Sequence, residues 1–383
     1  MNIADSFLQN YHSFKADVSG RFLSYKELSP QLKKLGAEFR VTEIGRSFLN
    51  VPIESVKIGS GPVKILAWSQ MHGNETTTTK GLLDLLNFFS QFKDEKEVQQ
   101  VLNDITLLII PMLNPDGAAR YTRENVNKTD LNRDACDLHE PESRVLRTCF
   151  KNFQPDFCFN LHDQRTIFGA GKERNPASLS FLAPSMDEER TLTEVRENAM
   201  KLIVAMNKAL QGLIPGQVGR FDDSFNINCT GDYFQAQHVP TILFECGHFP
   251  GDYQREKTRE LFTYSLVVAL QAIQSKQYLK EAVDDYFAIP ENSKSFYDVI
   301  LRNVVVKGQE LDIAFQFKEI IRAGEIDFLP QVQTMAPRLS VFGHQEIDAK
   351  GGVVKNLDKE ELSENDIVEV ILLNNEKLSI KTL

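Results

Sequence analysis

Four short apolar runs constrain this chain most: Val63 to Trp68, Ile105 to Ile110, Asp156 to Leu161 and Val239 to Phe244. Each has the length of a strand and is rich in Ile, Val, Leu or Phe, as expected for strands buried on both faces. Helical patterns separate most of them, at 76–91 and 140–153 and from Asp187 to Leu210, and another, Tyr253 to Gln274, follows the last run. Strands alternating with helices predict an α/β fold with a mostly parallel, mixed sheet flanked by helices. Every run ends in polar residues: His72-Gly73-Asn74-Glu75, Asn114-Pro115-Asp116-Gly117, His162-Asp163 and Glu245-Cys246-Gly247. In open α/β sheets the carboxyl ends of the strands are where ligands bind.

His72 and Glu75 sit where a strand hands over to a helix, so an imidazole and a carboxylate three residues apart can face one point. Zinc takes nitrogen and oxygen ligands of this kind, and a catalytic site needs three from the protein. Taken alone, the pair reads more readily as a loop histidine, His72, and a carboxylate, Glu75, favoured near a helix N-terminus. His162, at the carboxyl end of a later strand, completes a His2Glu set. The separation from Glu75 leaves room for a further strand–helix unit and a return to the same sheet edge. Glu245 at the end of an apolar strand is costly to bury unpaired, so it is expected to point into a cleft.

Asn-Pro-Asp-Gly reads as a turn, followed by a polar loop from Ala118 to about Leu138 that carries Arg120, Arg123, Asn125, Asn132 and Arg133. A loop this long is either functional or a solvated excursion. Before the first buried run, a helix over Tyr25 to Leu35 and strands at 39–44 and 53–58 are expected. Gly212 to Gly231 reads as loop. From about Tyr286 the texture changes to short β-type runs at 304–306, 313–317, 339–342, 353–354 and 367–373. These predict a small C-terminal all-β domain, giving two domains, 1–285 and 286–383.

The net charge of −10 argues against a general nucleic-acid binder. No run is long and apolar enough to predict a membrane span. The N-terminal stretch lacks the basic and apolar regions of a secretory signal. Five cysteines without a CxxC pair read as reduced thiols, so a cytoplasmic protein is expected.

Taken together, His72 to Glu75, Asn114 to Gly117, an arginine followed by Asp130-Leu131-Asn132-Arg133, Leu161-His162 and Phe244-Glu245 resemble the zinc carboxypeptidase family, from about Val63 to Glu245. The resemblance implies a carboxypeptidase-like fold and one Zn2+ per chain, held by His72, Glu75 and His162. It implies that Asn132 and Arg133 bind the substrate's terminal carboxylate, that Arg123 rather than Arg120 polarises the scissile carbonyl, and that Glu245 is the general base. The activity implied is release of the C-terminal residue from short peptides. The sequence departs from the digestive members, which carry a tyrosine before the last strand; Phe221 to Ile227 has none, and Tyr233 is expected on a short helix or buried. The same motifs are similar to those of the aspartoacylase and desuccinylase branch, whose β-rich appendage matches the tail, so the substrate is either a peptide or an acyl amino acid with a free carboxylate. A binding module that keeps the fold without the chemistry is the non-enzymatic alternative.

Overall fold

A computed structural model describes residues 2–382; Met1 and Leu383, the outer ends of the two expected domains, lie outside the described residues. The first part contains nine strands: β1 (Arg40–Arg46), β2 (Pro52–Ile58), β3 (Val63–Ser69), β4 (Ile105–Ile110), β5 (Phe157–Asp163), β6 (Phe168–Ala170), β7 (Leu179–Leu182), β8 (Val218–Arg220) and β9 (Thr241–Cys246). Eight of them form one mixed sheet in the order β1-β2-β4-β3-β5-β9-β7-β8. The central pairs β4/β3, β3/β5 and β5/β9 are parallel, whereas β1, β2 and β7 bring antiparallel pairing to the flanks. The four apolar runs are therefore the four adjacent central strands, and their alternate residues are buried on both faces.

The helices are α1 (Ile3–Phe14), α2 (Tyr25–Lys33), α3 (Thr77–Gln91), α4 (Lys96–Asp104), α5 (Pro115–Arg120), α6 (Pro141–Phe153), α7 (Glu194–Gln211), α8 (Thr230–Ala236), α9 (Glu256–Ser275) and α10 (Val283–Phe287). Helices α3, α7 and α9 bury Leu, Ile, Phe and Val against one face of the sheet, with α1 laid over α3 and α9. On the other face, a second apolar cluster joins Trp68, Ile110 and Leu146 to Phe234, whose ring stacks on Phe150 at 4.1 Å between centroids.

Several expectations are corrected. Asn-Pro-Asp-Gly opens α5 instead of forming a turn: Asn114 Oδ1 accepts from Gly117 N at 2.8 Å, and Pro115 occupies the first turn, where its missing N–H costs nothing. The loop from Ala118 is consequently interrupted, by the end of α5 and by a 3-10 turn at Leu131–Arg133. The pattern beginning at Asp187 becomes helical only at Glu194, after Thr193, whose side chain accepts from Arg196 N. Gly212–Gly231 contains β8 and the start of α8, and Tyr233 lies on α8 as expected. Strands β6 and β7 and helices α1 and α4 were not anticipated.

The C-terminal part is β-rich, with strands much longer than the apolar runs suggested. They are β10 (Asn292–Lys294), β11 (Phe296–Val306), β12 (Gln309–Arg322), β13 (Glu325–Ala336), β14 (Phe342–Asp348), β15 (Val354–Lys355), β16 (Val370–Leu373) and β17 (Glu376–Ser379). A four-stranded sheet, β13-β12-β11-β14, and a three-stranded one, β15-β16-β17, enclose a separate apolar cluster that includes Leu301, Phe315, Val332 and Ile371. Strand β10 pairs with β6 of the first part. No helix of the described residues is long and apolar enough to cross a membrane.

One buried ion pair ties α1, α3 and α9 together. Asp84 and Arg259 are fully enclosed and meet through two bonds of 2.6 and 2.7 Å, and Asp84 also accepts from Tyr11 Oη and Ala16 N. Removing the carboxylate takes from Arg259 its one fully enclosed partner and leaves it Glu256 at 3.1 Å and the carbonyls of Ala16 and Val18, and breaking a buried pair costs about 3–5 kcal/mol. Asp84→Ala is therefore expected to lower the unfolding free energy by that order in urea titration; a loss below about 1 kcal/mol contradicts this account of the packing.

Candidate active site

Parallel pairing of β3, β5 and β9 brings three motif ends to one sheet edge. In the β5–β9 ladder His162 lies opposite Glu245, and in the β3–β5 ladder Ser69 lies opposite Leu161, with His72 and Glu75 just beyond. The turn carrying His72 and Glu75 is built by the second motif. Asn114 Nδ2 donates to Met71 O at 3.0 Å, Asn114 N to Gln70 O at 3.1 Å and Leu113 N to Ser69 O at 3.0 Å. Gly73 packs so closely on the backbone of Gly117 that a Cβ would collide with it, so only glycine fits between His72 and Asn74. Asp163 then ties β5 to the start of α3, accepting from Thr77 N at 3.1 Å and Thr77 Oγ1 at 2.6 Å.

His72, Glu75 and His162 are all buried and converge. Glu75 Oε1 lies 2.8 Å from His72 Nδ1, and Glu75 Oε2 2.8 Å from His162 Nδ1; the two Nδ1 atoms are 3.1 Å apart. All three donor atoms fall within 4.8 Å of one another. Both imidazoles thus turn the same nitrogen toward one carboxylate, a donor set that suits zinc in type, number and convergence. Asp130, to which the motif alone assigns no role, lies 2.9 Å from His72 Nε2. A carboxylate there keeps the proton on Nε2 and leaves Nδ1 as a donor toward the cluster. Its signal was present, since the residue opens the Asp-Leu-Asn-Arg motif, but only the folded chain shows which nitrogen it serves.

Charges in this cluster perturb one another. Burial works against ionisation of Glu75, but the two histidines outweigh it and hold the carboxyl well below its usual range. Burial likewise opposes ionisation of Asp130, and the bond to His72 overrides it. Burial lowers His162, whereas the Glu75 charge raises His72 against its own burial. Glu245 is half-buried, with Oε2 enclosed and unpartnered, and burial followed by the Glu75 and Asp163 charges raises its carboxyl well above the ordinary value. The expected orientation holds: Glu245 lines the same cavity as the three donors.

The arginine readings separate cleanly. Arg123 lines the cavity, bonded to Asp130 at 3.0 Å and 3.5 Å from Glu75, while Arg120 is exposed at the end of α5 and does not line it. Asn132 and Arg133 also line the cavity. Asn132 is fixed by Asp130 and by Thr230 N, and Arg133 donates to Asn132 O at 2.7 Å and to Cys229 Sγ at 3.0 Å. Arg133 forms no ion pair among the described residues. Phe221 and Phe225 occupy cavity positions in the stretch that lacks tyrosine. Arg21, Tyr253, Arg255 and several C-terminal residues also line the cavity, and no sequence motif marks them.

Residues 31–207 match the zinc carboxypeptidase family model. Carboxypeptidase SOL1 of Arabidopsis thaliana is 28% identical over 154 residues, covering 36% of this chain and 31% of that protein. Probable carboxypeptidase 2 of Trichophyton verrucosum (strain HKI 0517) is 30% identical over 146 residues, 37% of this chain and 27% of that one. The chain thus spans about a third or less of the length of these curated relatives. Among solved structures, a metallo-carboxypeptidase from Burkholderia cenocepacia is similar in fold, with a TM-score of 0.53 at 16% identity over 67% of this chain and 70% of that one. With the His72-x-x-Glu75 and His162 cluster at the carboxyl edge of the sheet, residues 31–207, a little under half of the chain, are similar to the zinc carboxypeptidase family.

Proposed function

We propose that this protein is a metallocarboxypeptidase that releases the C-terminal residue from short peptides with a free carboxylate. The observation that carries the reading is that one cavity holds three convergent metal donors, a carboxylate opposite one of them, and a guanidinium without an ion-pair partner. His72, Glu75 and His162 would hold one zinc ion. Bound zinc supplies a Lewis acid and lowers the pKa of its water toward neutrality. Glu245, ionised and lining the cavity with the three donors, takes the proton of the attacking water and passes it to the leaving amine. Arg123 lies against Glu75 and Asp130 and stabilises charge on the scissile carbonyl oxygen. Arg133, positioned by Asn132 O, holds the terminal carboxylate in a two-pronged bond, and Asn132 fixes that geometry beside it.

A second reading, hydrolysis of N-acyl amino acids, uses the same residues, and the reach of the C-terminal β-rich part into the cavity favours it. The division of the chain into a catalytic unit over 1–285 and an accessory unit over 286–383 belongs to the proposal, supported by the two separate apolar clusters. A cytoplasmic setting belongs to it as well and rests on the five unpaired cysteines.

Purified protein is expected to bind about one zinc per chain, and His72→Ala and His162→Ala to lose it. Asp130→Ala should weaken binding by roughly 10–100-fold in a competition titration with a chromophoric chelator. Tight binding in both histidine variants removes the metal assignment, and a wild type that carries no transition metal favours a binding module. Glu245→Gln should keep its metal while kcat falls by roughly 10^2 to 10^4; an unchanged kcat means the base lies elsewhere. Arg133→Ala should lose the preference for free-acid over amidated peptides, and a preserved preference excludes Arg133 as the carboxylate anchor.

A further inference from the structure

The cavity that holds the site measures about 880 Å3, a volume suited to enclosing a drug-sized ligand. Asn132, Arg133 and Cys229 form one stretch of its lining. Another stretch comes from the C-terminal β-rich part: Asp298 on β11, Gln316, Phe317 and Glu319 on β12, and Phe328 on β13. These residues are fastened to the first part. Glu319 pairs with Arg21 at 3.0 Å and accepts from Tyr121 Oη. Tyr253 Oη donates to Asp298 at 3.0 Å, and Gln316 Nε2 donates to Thr166 Oγ1 at 2.6 Å. The rings of Phe317 and Phe328 lie 5.2 and 5.6 Å from that of Tyr253. A wall held by buried polar bonds and aromatic packing on both sides is a fixed boundary of the cavity.

This stretch also has a charge imbalance. Arg21 and Arg255 are both buried, at 4% and 1% exposure. Arg21 has Glu319 as its partner, whereas Arg255 donates to the carbonyls of Cys246 and Gln164 and forms no ion pair among the described residues. Arg165, exposed and lining the same cavity, forms none either. Of the acids nearby, Glu319 is engaged by Arg21 and Tyr121, Asp298 by Tyr253, Gln316 and Phe317 N, and Asp163 through Oδ2 alone by the start of α3, its Oδ1 being enclosed without a donor. Arg21 Nε and Arg255 Nε are enclosed with no partner, as is Gln316 Oε1. Buried charges are normally paired, and a guanidinium held only by carbonyls is a costly arrangement unless an anion joins it.

We propose that the C-terminal β-rich part forms the upstream end of the substrate cavity, closing it behind a short acidic acyl or aminoacyl group whose carboxylate is held by Arg255, Arg21 and Arg165. The proposal rests on the reading that the released residue is held at Asn132 and Arg133, and it names what lies on the other side of the scissile bond. The β-rich part limits the length of that group, Phe317 and Phe328 set the boundary, and the guanidiniums select its charge.

The test uses the full-length protein loaded with zinc. Binding to Glu245→Gln is measured by calorimetry for one amino acid carrying N-succinyl, N-butyryl or N-acetyl groups, and for peptides with one to five residues upstream of it. Hydrolysis of the same set by the wild type is followed by mass spectrometry. The succinyl compound should bind at least about tenfold more tightly than its neutral counterparts, as a charge-assisted bond to a buried guanidinium requires, and peptides with more than about three upstream residues should neither bind nor be cut. Phe328→Ala should relax the length limit. Arg255→Gln should remove the preference for the acid; because it also cuts two ties to strand ends, Arg165→Ala is the second variant, expected to reduce the preference with the fold intact. Equal binding of neutral and acidic groups, or full cleavage of five-residue extensions, overturns this inference and leaves the carboxypeptidase reading standing. Equal handling of free-acid and amidated C-termini overturns that reading instead, while the succinyl-to-butyryl ratio still decides the charge of the upstream end.

Discussion

The parallel pairing of β5 with β9 is the constraint on which the site depends. Parallel strands end at the same sheet edge, and the register sets His162 directly opposite Glu245. Adding β3 on the other side of β5 brings the turn with His72 and Glu75 to the same point. Pairing out of register by one residue would turn Glu245 to the opposite face of the sheet. The apolar strand bodies hold that register, because each side chain of β5 is buried on one face or the other. Core packing and site geometry are thus one fact seen at two ends of the same strands.

Around that edge the chain places an unusual number of charges at low exposure, and it manages them in layers. Glu75 is surrounded by two histidines and the Asp163 N–H, and Asp130 links His72 to Arg123. Asp163 is turned to the start of α3, where backbone donors favour a carboxylate. Glu245 and Asp163 each keep one enclosed oxygen with no donor, and burial raises the carboxyl of both above its ordinary value. Farther out, Arg21 with Glu319 and Tyr253 with Asp298 extend the polar packing into the C-terminal strands.

The central strands were legible because burial on both faces leaves a continuous apolar run, and the site because its residues follow those runs directly. Asn-Pro-Asp-Gly was misread because the same residues that favour a turn also cap a helix; what decides is that Asn114 bonds back to Met71, which no local pattern reveals. Strand β13 was missed and β12 shortened because Lys318, Glu319, Arg322, Glu325 and Asp327 interrupt their apolar pattern, as strands with an exposed face permit. Phe221 and Phe225 line the cavity from the stretch that holds no tyrosine. The β-rich wall was not legible as a wall, since it arises from contacts of residues 298–328 with Arg21, Tyr121 and Tyr253, far away in sequence.

The central claim is that His72, Glu75 and His162 form a zinc centre through nitrogen and oxygen donors alone. X-ray absorption spectroscopy at the zinc edge of the loaded protein tests it most directly. The account predicts a first shell of two imidazole nitrogens and carboxylate or water oxygens at about 2.0–2.2 Å, with outer-shell scattering from two imidazole rings. A first shell containing sulfur at about 2.3 Å, or one without imidazole scattering, would place the metal elsewhere and contradict the account.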